Sequence, residues 1–96
     1  MIFEEHCEES EKLFGNKWEA VHKWLDEYAG KPGIGMMHRR FRHHQEGLKE
    51  VEKIFGADAV PAARQHIISD LMQEGWEEGA DPFPQNEWDY VRMGLY

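Results

Sequence analysis

His66 is followed by Asp70 one helical turn later, and His22, His38 and His44 fall on or beside the apolar faces of predicted helices. Residues at i and i+4 share a helix face, so an imidazole and a carboxylate there either touch each other or bind one cation together. Bundles build metal sites and proton carriers from such inward side chains on facing helices. Imidazole nitrogens with one carboxylate suit a divalent transition ion, Zn, Ni, Mn or Fe. The candidate ligands are therefore His22, His38, His44, His66 and Asp70, with His43 and His6 in reserve. The bland alternative is a set of core histidines, each hydrogen-bonded to its own partner. The spacing leaves open which of His43 and His44 faces inward.

The elements that must carry these residues are helices separated by glycines. Ile2–Phe14 places Phe3, Cys7, Ser10 and Phe14 on one stripe and stops at Gly15. Asn16 caps a second helix from Lys17 to about Ala29, with Trp18, Val21, His22, Leu25 and Tyr28 on its face. Gly30–Gly35 is a loop, since three glycines and a proline do not seed a helical turn. A third helix runs from about Met36 to Phe55, where Met37, Phe41, His44, Leu48, Val51 and Phe55 alternate at spacings of four and three. Gly47 in its middle costs about 1 kcal/mol relative to alanine, which points to a close approach by a neighbour. Asp58 and Pro61 open a fourth helix with the stripe Val60, Ala63, Ile67 and Leu71, ended by Gly75.

Residues 76–96 differ in kind. Pro82-Phe83-Pro84 marks an extended segment, and Asn86 caps a short last helix bearing Trp88, Val91 and Met93. The expected fold is all-α, one domain over residues 1–96: a bundle core of about four helices over residues 2–75 and an aromatic C-terminal arm. Aromatic residues so near a terminus need burial, across the bundle or on a second subunit, so the arm is expected to support a homodimer.

Composition narrows the partners. Nineteen Asp and Glu against eleven Lys and Arg give a net charge of -8 with neutral histidines. That field repels nucleic acid and anionic lipid and depends on pH through six imidazoles. One cysteine, Cys7, excludes an intrachain disulfide, and a buried, inert thiol is the expectation for its stripe position. Without an apolar run of membrane-spanning length or a signal-peptide pattern, the expected location is the cytoplasm. Arg39 and Arg42 beside His38 could bind an acidic ligand, but a solvated face in which Glu46 pairs with Arg42 is the simpler reading.

The order Val21-His22-Lys23-Trp24-Leu25-Asp26, His38-Arg39, His43-His44 with Glu46-Gly47, Phe55-Gly56, and Gln65-His66 with Asp70 resembles a family of small uncharacterised bacterial and phage proteins. Members share an (I/V)H-x-x-LD segment, an HR…HH-x-x-G helix and a QH-x-x-x-D segment, matched here over roughly residues 16–72. The resemblance implies that His22, His38, His43 or His44, His66 and Asp70 form one pattern; it implies no activity. The HD-type metal phosphohydrolases are similar in being helical with His and Asp ligands, but the chain has no His-Asp dipeptide. A metal site with metal-assisted hydrolysis is thus one expectation, and a non-catalytic homodimeric module with core histidines is the other.

Overall fold

A computed structural model describes residues 2–29 and 38–95. The predicted loop at 30–35, and with it Met36 and Met37, lies outside the described residues. Six helices are described: α1 (Phe3–Phe14), α2 (Glu19–Leu25), α3 (Arg39–Arg42), α4 (Gln45–Phe55), α5 (Val60–Gln73) and α6 (Glu87–Arg92). A 3-10 turn, Ala57–Ala59, leads into α5, and no strand forms among the described residues. The all-α expectation holds, and no described helix is long and apolar enough to cross a membrane.

Helix α5 packs against α1, α2 and α4. Ile67 and Leu71 on one side of it are fully buried with Val51 and Tyr90. A side chain such as Leu71, taken wholly out of water, contributes about 2 kcal/mol. As expected, α1 ends at Gly15, whose φ of 75° is left-handed and whose N–H reaches the Glu11 carbonyl. Asn86 caps α6 by accepting from the Asp89 N–H.

Two elements depart from expectation, and both departures shape the site. The predicted third helix is broken at His43-His44 into α3 and α4. At the break His44 is extended, and its ring Nδ1 accepts from the Gly47 N–H at 3.1 Å. The four N–H groups that open any helix lack partners within it, and here all four are provided for. His44 N–H reaches the Arg42 carbonyl, Gln45 and Glu46 reach the carbonyls of Pro84 and Gln85, and Gly47 reaches the His44 ring. The Tyr90 hydroxyl donates to the His43 carbonyl at 2.6 Å and pins the turn from outside. The expected close approach at Gly47 is therefore made by backbone: a Cβ there would lie 1.8 Å from the Arg42 carbonyl oxygen. Phe41, placed on the stripe of a continuous helix, is half exposed instead.

The second predicted helix is shorter at both ends. The Asn16 side chain accepts from the Trp18 N–H at 2.9 Å, making a turn that holds Trp18 at φ 52°, so α2 starts only at Glu19. At the other end, Arg42 Nη1 donates to the Trp24 carbonyl at 2.7 Å, and His43 Nε2 approaches the Leu25 carbonyl at 3.1 Å. The broken turn thus caps α2.

If the break depends on a bare Cα at 47, Gly47→Ala should destabilise the fold by about 1–3 kcal/mol or more. Urea unfolding would read this as a lower midpoint; an unchanged midpoint would mean the turn is not under this constraint.

Candidate metal centre

Four elements converge. Helix α5 supplies His66 and Asp70 on one face, and α2 supplies His22, with Asp26 just beyond its last turn. The broken turn supplies His43, with His38 and Arg39 at the start of α3, and α1 supplies His6 and Ser10. The side chains of His6, His43, His66 and Asp70 are almost wholly buried, whereas Asp26 keeps 29% exposure and forms the open edge.

The contacts divide into two lengths. Two are short: Ser10 Oγ to His22 Nε2 at 2.7 Å and His22 Nδ1 to His66 Nδ1 at 2.8 Å. These are hydrogen bonds. The others are longer: His66 Nε2 lies 3.3 Å from Asp26 Oδ1 and 3.3 Å from Asp70 Oδ2, and His43 Nδ1 lies 3.5 Å from Asp70 Oδ2. A charge-assisted hydrogen bond between such groups closes to about 2.7–2.9 Å. Ligands about 2.0–2.1 Å from a tetrahedral ion stand ~3.3–3.4 Å apart, which is the length found here. One ligand atom from each of Asp26, His43, His66 and Asp70 can be chosen so that all lie within 4.8 Å of one another.

His43 makes the case sharper. Its Nε2–H faces the Leu25 carbonyl at 3.1 Å and Asp26 Oδ1 at 3.2 Å, which leaves Nδ1 as the bare nitrogen of a neutral ring. That nitrogen is buried, has no hydrogen-bond partner and faces a carboxylate oxygen. Two lone pairs held together in a buried place repel unless something positive lies between them. His6 has both ring nitrogens buried without a hydrogen bond; its ring stacks 3.6 Å over His66, and Nε2 is 3.3 Å from Asp70 Oδ1.

Charge points the same way. Arg39 lies 3.6 Å from Asp70 and 3.4 Å from Glu74. With Asp26 this sets three carboxylates against one guanidinium, and a divalent ion would balance the difference. Burial opposes the charged form of both aspartates. The adjacent His38, His43 and His66 rings outweigh it at Asp26, and the adjacent His6 and His66 rings outweigh it at Asp70, so both carboxyls stay well below the usual carboxylate range. Burial lowers His43 to about 4 against the pull of Asp26. Burial also lowers His22 to about 4, with the like charges of His66 and His6 acting in the same direction. At His66 burial favours the neutral ring, but hydrogen bonds to Asp26 and Asp70 prevail and raise its pKa.

Of the residues expected from sequence, His66 and Asp70 lie at the centre. His22 touches His66, and His38 Nε2 reaches Asp26 Oδ1 at 3.5 Å. His44 does not join them: Nδ1 caps α4 and Nε2–H donates to the Arg40 carbonyl at 3.0 Å, so neither nitrogen is available. His43 stands where His44 was expected, because the break turns the chain between them. Asp26 was missed, although His22–Asp26 repeats the His66–Asp70 spacing and so carried the same signal. Cys7 is buried, and its thiol pKa is raised by that burial.

Residues 1–78 match the model of a family described as a domain of unknown function, DUF6915. The chain belongs to that family. Every residue of the centre lies within the matched stretch, whereas α6 lies beyond it. The chain is also similar to Cytosolic invertase 1 of Oryza sativa subsp. japonica, at 28% identity over 94 residues covering 85% of this chain. It spans only 16% of that relative's length. No solved structure matches.

The lowered imidazoles set a pH dependence for the metal-free protein. His22 and His43, at about 4 when folded, take up protons on unfolding as pH falls below about 6.5, which lowers stability across that window. His66 works in the opposite sense: its contribution is full at low pH and lost as pH rises through its folded pKa. Asp26 and Asp70 stabilise above the unfolded carboxylate pKa and lose that contribution in acid. Burial lowers His44 as well, so three rings against one should make the urea midpoint fall between pH 6.5 and 4, then fall further below; a midpoint rising on acidification would contradict this balance.

Proposed function

We propose that this protein is a metal-binding helical module that holds one divalent transition ion, Zn, Ni, Mn or Fe, on Asp26, His43, His66 and Asp70. The observation that carries the reading is the bare, buried His43 Nδ1 facing Asp70, within a set of contacts longer than charge-assisted hydrogen bonds usually close to and matching the edges of a coordination shell. Two imidazoles and two carboxylates favour such ions over copper(I), which prefers sulfur, or calcium, which takes six to eight oxygens. His43 suits the role because its other nitrogen donates to a backbone carbonyl, the usual support of a ligating histidine.

The bound ion would supply Lewis acidity for a hydrolysis at the Asp26 edge. His38 and Asp26 line that edge, and Arg39 holds Asp70 in place from behind. Closure by four protein ligands equally fits an ion that only braces the fold.

Untagged protein exposed to Zn, Mn, Ni and Fe salts and then desalted should retain one ion per chain. Saturation at a hundredfold excess over Kd stabilises by about 2.7 kcal/mol, or ~10 °C or more in melting temperature for a chain of this size. Asp70→Asn and His43→Gln should abolish both effects, whereas His44→Asn, which keeps a capping side chain, should retain them. Retention of fewer than roughly one ion in five chains by the wild type would discredit the reading, since buried nitrogen ligands bind far more tightly than that.

A second reading, self-association as a homodimer through the arm, is favoured by one observation. Trp76 and Tyr90 find burial within the chain's own core, but Trp88 and Val91 on α6 remain 63% and 53% exposed, and Trp88 shares a groove with exposed Phe41. Sedimentation at high micromolar concentration should then give twice the chain mass, reduced to one by Trp88→Asp. A monomeric wild type removes this reading and leaves the metal centre untouched.

A further inference from the structure

We infer that Ser10 and His22 are positioning residues for the ligand His66: a hydrogen-bonded line from Ser10 Oγ through His22 to His66 Nδ1 selects the tautomer of His66 that presents Nε2 to the ion. The inference rests on the metal reading and assigns these two residues a role outside the ligand set.

The line is continuous and buried. Ser10 Oγ is 2.7 Å from His22 Nε2, and His22 Nδ1 is 2.8 Å from His66 Nδ1. Both nitrogens of His22 are therefore engaged, unlike those of His6, and their contacts have hydrogen-bond lengths. A second ion shared by His22 and His66 would hold their nitrogens ~3.3 Å apart in a tetrahedral shell, so the 2.8 Å contact argues against that use.

A neutral imidazole has one N–H and one bare nitrogen, so the line can run in two directions. In one, His66 Nδ1–H donates to His22 Nδ1, and His22 Nε2–H donates to Ser10 Oγ; His66 Nε2 is then bare and can bind an ion. In the other, the Ser10 hydroxyl donates to His22 Nε2, and His22 Nδ1–H donates to His66 Nδ1. His66 then carries its proton on Nε2, between Asp26 and Asp70, and cannot act as a ligand. Ser10 is needed as the acceptor at the far end of the first direction. Without it, the buried His22 Nε2–H would lose its short side-chain partner, and the proton would shift toward Nδ1, favouring the direction that blocks the ion.

The test compares the wild type with Ser10→Ala and Ser10→Thr, using Zn2+ alone as the probe. Partners of ligating histidines commonly set affinity by 10–100-fold; Ser10→Ala should weaken Zn2+ binding by about that factor, and Ser10→Thr should restore it. Nitrogen-15 imidazole spectra of the Zn2+-loaded wild type give a readout independent of folding. They should show a protonated His66 Nδ1, a bare His22 Nδ1 and no metal-bound nitrogen on His22. If the wild type binds one ion and Ser10→Ala binds it equally tightly, or a His22 nitrogen is metal-bound, the positioning role is overturned and the centre stands. If the wild type binds no Zn2+, both the centre and this role fall.

Discussion

The Arg42 carbonyl sits where residue 47 can have no side chain, and the shape of the centre follows from that contact. A continuous helix from 36 to 55 would keep His43 and His44 about 100° apart on one cylinder, with His44 toward the core. Turning the backbone between them sends the two rings to different tasks. His44 spends both nitrogens on holding the turn, while His43 goes into the interior with one nitrogen to spare. The same turn directs Arg42 and His43 onto the end carbonyls of α2, so α2 stops at Leu25 and Asp26 follows at the edge of the cluster. One backbone contact thereby places two of the four proposed ligands.

The segment that follows α5 acquires a purpose in this arrangement. Its carbonyls at Pro84 and Gln85 take the first N–H groups of α4, and Tyr90 bonds the His43 carbonyl. A helix beginning inside the protein needs such partners, because a buried donor left unpaired costs about 1–3 kcal/mol. That segment is therefore packed against the chain's own turn through Pro84 and Tyr90, while residues 77–82 and the outer face of α6, with Trp88 and Val91, are left to water.

Legibility in the sequence followed how local the governing interaction was. Helices α1, α5 and α6 could be read because their signals are local: Gly15 past the end of one, Pro61 in the first turn of another, Asn86 before the third. His66 and Asp70 were legible for the same reason, being one turn apart on a clear helix. The break at His43-His44 was not, since the apolar period runs unbroken across it and Gly47 only hinted at a close neighbour. What decides the break is tertiary: carbonyls from residues 84 and 85, and a ring folding back on its own chain. His6 was kept in reserve because the stripe was centred on Phe3 and Phe14. The buried face of α1 is in fact His6, Cys7 and Ser10, rotated toward the polar cluster, and Phe14 is left partly in water.

Helix α5 shows what that rotation achieves. From His66 to Leu71 every residue is buried, so this segment has no solvent face and no amphipathic logic. Its surroundings are instead divided: Ile67 and Leu71 meet an apolar half with Val51 and Tyr90, while His66 and Asp70 meet a half made of imidazoles, carboxylates and Arg39. An apolar packing of similar volume would have been at least as stabilising as buried charges, whose desolvation commonly exceeds their mutual attraction. A fold of this size has little surplus stability to set against that cost. Burying Asp70 and four of the histidines around one helix, with Asp26 half-covered at the edge, is therefore poor design for a fold alone. It would suit a fold whose interior is balanced by a cation, as we propose, because an ion there would turn the repulsion between His43 Nδ1 and Asp70 into attraction.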